Sequence, residues 1–174
     1  MAHMLEKVLR WIVIIGVFCL PFVCLIVASS MFFPFITGKN FAFRIIVDVI
    51  VGAWLALALV NEKYRPRRSW ILGTFALFVL VMALANALGV YPFKSFWSNF
   101  ERMEGYITLL HLFAYFIIAS SVFSTEKIWK WFLQTSIGAS VVISLFGIGQ
   151  LAHIFVINQG GVRLDSRFGN ATYL

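Results

Sequence analysis

The stretch FAFRIIVDVIVGAWLALALV, residues 41–60, decides the fold. Apart from Arg44 and Asp48 it carries no charge, and about 20 predominantly apolar residues cross the hydrocarbon of a bilayer as a helix. The remainder of the chain has the same character. Of 174 residues, 61% are hydrophobic and only 12% charged, against roughly 45–50% apolar in soluble domains. The same reading places further spans at 11–33, 70–89, 106–123 and 128–156. The expected fold is an all-α, polytopic transmembrane helix bundle of about five spanning helices plus the start of a sixth at 171–174, with residues 1–174 forming one transmembrane domain. The first apolar run is too long for the core of a signal peptide, and 21–31 lacks a small-x-small processing site, so it reads as a retained span. Residues 1–3, before a second Met, read as a cloning remnant.

The net charge of +7 does not argue for nucleic acid, because the bases are scattered over every loop and no soluble domain carries a groove. Their distribution reads as topology. Lys7, Arg10, Lys63, Arg65, Arg67, Arg68, Lys127 and Lys130 fall on one side, against Lys39, Arg44, Lys94, Arg102, Arg163 and Arg167 on the other. The positive-inside rule then puts the N-terminus and the dense 61–69 loop, NEKYRPRRS, in the cytoplasm and the C-terminal tail outside. That loop suits docking on anionic headgroups.

This orientation gathers the chemically useful residues at the outer face. Arg44 and Asp48 are four apart on one helical face, close enough to pair, one to two turns inside their span, where an unpaired charge costs several kcal/mol. Two readings stand: a structural ion pair, or an Arg44 that faces a hydrated cavity and meets an anionic substrate while Asp48 orients it.

The polar stretch SFWSNFERMEG, residues 95–105, admits a similar division. Ser98 followed by Glu101 fits a capping box, which would start a helix near Asn99, and Glu104 suits a first turn by the helix dipole. Arg102 is disfavoured there. It either pairs with a neighbouring Glu or offers a forked cation to phosphate. His111, on the same expected helix, is either a hydrogen-bonded packing residue or a base, and His153 lies near the outer end of the last span. No metal-ligand spacing occurs, and Cys19 and Cys24 sit in an apolar helix. Ser136, Ser140 and Ser144, with nearby glycines, suit close helix packing.

The segment PFITGKNFAFRIIVDVI after the first span, FWSNFERMEG before the fourth and RLDSRFGNATYL at the end together resemble the O-antigen ligase and O-antigen polymerase superfamily. The resemblance covers essentially the whole chain. It implies a multi-helix, metal-independent bacterial glycosyltransferase of the inner membrane, without a cofactor, which moves a glycan from an undecaprenyl-diphosphate carrier to an acceptor on the periplasmic face. On that reading Lys39, Arg44, Asp48, Arg163 and Arg167 bind the lipid-linked substrate, and Arg102, Glu101, Glu104 and His111 are the catalytic candidates. Family members carry a large periplasmic loop beyond the region matched here, so the chain reads as the N-terminal portion of such an enzyme, inactive by itself. Two other classes remain: a non-catalytic membrane scaffold or assembly subunit using the Ser face, and a small transporter whose flux depends on Asp48.

Overall fold

The computed structural model of the chain describes residues 2–99, 102–157 and 163–170. Over these residues it is helical: α1 (Ala2–Cys19), α2 (Thr37–Val60), α3 (Trp70–Ala87), α4 (Pro92–Trp97), α5 (Tyr106–Val122) and α6 (Glu126–Leu151). Four segments are long and apolar enough to cross a bilayer, namely His3–Leu25, Thr37–Val60, Trp70–Ala87 and Glu126–Leu151. The remaining expected span, 106–123, is α5, apolar but 17 residues long, the lower limit for a membrane helix.

The boundaries differ from hydropathy where the backbone has its own demands. The first span occupies His3–Leu25 rather than 11–33. Pro21 has no N–H and its ring crowds the preceding turn, so α1 tightens into a 3₁₀ turn, Leu20–Leu25, and leaves the helical path. The chain then folds back on itself, with Ala28 N–H donating to the Pro34 carbonyl at 2.9 Å, and α2 begins at Thr37. At the far end, α6 stops at Leu151 although the apolar run continues to 156. His153 takes φ 57°, the left-handed position that commonly ends a helix. Its N–H reaches the Gln150 carbonyl and the Ile154 N–H reaches that of Gly149, which together satisfy the last turn.

The core lies between α1, α2 and α5. Val13 and Val17 meet Ile50, Ala53 and Leu57, closed by Ile118, Val122 and Phe123. Lipid tails are as apolar as these side chains, so their association in a bilayer rests on close contact rather than on escape from water. Gly16 is where that contact is tightest: a Cβ built there would lie 2.2 Å from Ile50 Cγ2. A polar tie fixes the same pair of helices at their other end. Glu6 accepts from Tyr64 Oη at 3.0 Å and from Asn61 Nδ2 at 3.2 Å, while Trp54 Nε1 donates to the Tyr64 carbonyl. Ring contacts of Phe132 with Phe18 and Phe123 hold α6 to this assembly. α3 packs against α5 and α4 and leaves most of its surface exposed.

Candidate functional site

The N-terminal half of α2 carries the site. Lys39, Asn40, Arg44 and Asp48 follow one another up this helix, and each meets a segment distant in sequence. Because α2 starts at Thr37, Asp48 lies about 17 Å along it, deeper than the one to two turns expected.

Arg44 and Asp48 do not pair with each other. Arg44 is 7% exposed, and its Nη2 donates to Thr108 Oγ1 at 2.8 Å, while Thr108 in turn donates to the Met103 carbonyl at 3.3 Å. The Arg44 Nε has no hydrogen-bond partner among the described residues. Helical spacing permitted the Arg44–Asp48 contact, but α5 packs against that face and supplies a separate partner for each residue. A guanidinium with a donor to spare has the chemistry to hold an anion's oxygens.

Asp48 instead meets His111, with Nε2 and Oδ1 3.2 Å apart. The other ring nitrogen, Nδ1, lies 2.7 Å from the Ile107 carbonyl. A carbonyl only accepts, so Nδ1 carries a proton; the contact with Asp48 then requires a second proton on the ring or on the carboxyl group. The Asp48 side chain is 69% exposed on the helix flank.

Residues 95–105 are arranged differently from the expected capping box. Ser98 ends α4 with φ 64°, and α5 begins only at Tyr106, behind Gly105 and without a side-chain cap. Pro92 starts a separate short helix that ends at Trp97, before the residues that the spacing assigned to a helix start. Arg102 therefore precedes α5 and does not share a helix with His111. Its guanidinium lies 4.8 Å over the Phe33 ring and is in no ion pair among the described residues. Glu104 accepts from Asn40 Nδ2 at 3.1 Å, and the same amide donates to the Arg102 carbonyl. Glu104 also lines a cleft of about 410 Å³ with Asn86, Ser95 and Tyr106. Glu101 lies outside the described residues.

The tail segment completes this end of the molecule. Lys39 Nζ donates to the Arg167 carbonyl at 2.5 Å and lies over the Phe168 ring. Arg167 Nε reaches the Leu25 carbonyl at 3.2 Å, its guanidinium stacked 4.6 Å over Phe146. Gly169, at φ +70°, passes so close to Phe35 that a Cβ would lie 2.3 Å from its ring. Arg163 is exposed.

One residue that sequence reasoning passed over anchors the segment. Gln150, 3% exposed, donates to Asp165 Oδ1 at 2.6 Å and to the Val156 carbonyl at 3.0 Å. It accepts from the backbone N–H groups of Asp165 and Ser166. The available signal was an amide in the apolar last turns of α6, which in a membrane-facing element needs protein partners. Asn40 and Thr108, also missed, are ordinary polar residues whose importance comes from what faces them.

His153 is exposed beyond α6, and no cluster of three or more His, Cys, Asp or Glu side chains converges among the described residues. Ser136, Ser140 and Ser144 return their hydroxyls to carbonyls four residues earlier, and line an uncovered groove on α6. No family model, curated protein or solved structure matches this chain.

Proposed function

We propose that the chain is the N-terminal membrane portion of a glycosyltransferase like the O-antigen ligases and polymerases, acting on a glycan carried by undecaprenyl diphosphate at the periplasmic face of a bacterial inner membrane. The observation that carries this reading is the meeting of cations from three separate stretches of sequence. Lys39, at the start of α2, meets the Arg167 carbonyl of the tail; Arg102, in the turn before α5, stacks on Phe33 just before α2, with its carbonyl bonded to Asn40; and Arg44 follows one to two turns further along α2, against Thr108. An arginine can hold phosphate oxygens with two donors at once, and pre-placed cations lower the energy of charge building on a departing diphosphate. In the transfer the bond between the sugar's anomeric carbon and the phosphate oxygen breaks, the diphosphate leaves with the electron pair, and the acceptor hydroxyl forms the new bond and gives up its proton. Glu104, in its cleft beside Asn40, and His111, against Asp48, are the described candidates for the group that takes this proton.

Binding of a short-chain polyprenyl diphosphate to the purified chain in nanodiscs tests the reading. Arg44→Gln, Arg102→Gln and Arg167→Gln are each expected to weaken binding while leaving helix content unchanged, and polyprenol without phosphate should not bind. Equal affinity in all three variants overturns the proposal. A second reading, a non-catalytic assembly subunit, is favoured by the uncovered Ser136, Ser140 and Ser144 face. It predicts that bulky substitutions there abolish partner capture without affecting diphosphate binding.

A further inference from the structure

At the opposite end of the molecule, α1 and α6 leave between them a groove of about 540 Å³. Trp11, Ile14, Phe18 and Phe22 form one wall, and Ile128 and Trp131 face them. The volume falls within the range of small-molecule sites, and its walls would suit a hydrocarbon chain.

The mouth of the groove is cationic. Phe18 packs edge-on against Phe132, and both α1 and α6 start from the end that carries the 61–69 loop. Arg10, two turns before Phe18, therefore lies level with the beginning of α6. Arg10 lines the groove, and Lys127 Nζ lies 4.8 Å over the ring of Trp131, which lines it too. Among the described residues the ion pairs are Arg65–Glu62 and Asp48–His111, so neither Arg10 nor Lys127 is in an ion pair with any of them. Glu6, one turn before Arg10, is taken up by Tyr64 and Asn61. A cation inside a membrane segment costs several kcal/mol unless it meets water or an anion. Flanking tryptophans mark the depth at which headgroups lie.

We infer that this groove binds one anionic phospholipid of the leaflet on the 61–69 loop side. An acyl chain lies between α1 and α6, and Arg10 and Lys127 hold the headgroup phosphate. Charge complementarity selects the occupant, because a neutral apolar ligand would leave both cations unmet at the groove mouth. The site lies away from the α2 cluster, so the inference is independent of the transferase reading.

The full chain, exchanged from mixed phosphatidylglycerol and phosphatidylcholine into detergent, is examined by native mass spectrometry for retained lipid. Phosphatidylglycerol should be retained in preference to phosphatidylcholine. Arg10→Gln and the exposed Lys127→Gln should each reduce that retention about fivefold, the effect of one cation lost at a lipid surface. Arg10→Lys should restore most of it, and Arg65→Gln, on the same side but paired with Glu62, should change nothing. Circular dichroism checks that the variants fold, and Lys127→Gln keeps the test decisive if Arg10→Gln does not. Equal retention of the two lipids, or wild-type retention in Lys127→Gln, overturns the inference. Displacement of the lipid by millimolar inorganic phosphate does so as well, since it would show a bare anion site.

Discussion

Replacing Gln150 with Leu should detach the tail segment without unfolding the helices. The Gln150 amide makes four hydrogen bonds in a buried setting, one to the Asp165 carboxylate and three to backbone groups. A bond to a charged group contributes about 1.5–3 kcal/mol and a neutral one about 0.5–1.5, so together they amount to about 3–7 kcal/mol. That is comparable to the whole stability of many domains. The core of α1, α2 and α5 makes none of these bonds, however, and the 163–170 segment can recover hydrogen bonds from water by lifting away. The loss should therefore appear as local opening. Even the lower figure corresponds to about a hundredfold faster hydrogen exchange at the Asp165 and Ser166 amides. Exchange of the α2 and α5 amides should stay near wild type. Undocking would also release Lys39 from the Arg167 carbonyl and Arg167 from Leu25 and Phe146, so polyprenyl diphosphate binding should fall in parallel. Wild-type exchange at Asp165 and Ser166 in the Leu variant would refute the reasoning, since the segment would then be held by other contacts.

Two further substitutions probe the helix contacts. Gly16→Ala places a methyl group 2.2 Å from Ile50 Cγ2 and should cost about 1–3 kcal/mol by overpacking. Because Ile50→Ala removes the clashing atom, unfolding of the double variant in denaturing detergent should cost less than the sum of the two; strict additivity would show that the helices relax apart. Thr108→Val removes the acceptor for Arg44 Nη2 and should destabilise the chain by about 1.5–3 kcal/mol. Thr108→Ser should retain wild-type stability in the same unfolding assay, and an unchanged Val variant would mean that Arg44 is held elsewhere.

Hydropathy by itself determined that the described residues form long apolar helices, because crossing a bilayer demands a long apolar stretch with every backbone group bonded within it. α3 begins at Trp70 and α5 at Tyr106, as the apolar pattern requires. Features that depend on one residue's backbone escaped that pattern: the turn at Pro21, the end of α4 at Ser98 and the left-handed His153 that stops α6. The charged residues of α2 and of the two polar loops could be read as chemically active, but their partners could not. Spacing within a helix records only neighbours on that helix. It therefore offered Asp48 to Arg44 and Glu101 to Ser98. Only the packing of α5 against α2 turns Arg44 toward Thr108 and Asp48 toward His111, and only the return of the tail brings Arg167 to Lys39 and Asp165 to Gln150. These contacts join residues 15 to 128 positions apart. Such distances are closed by the fold as a whole, after local pattern has done its part.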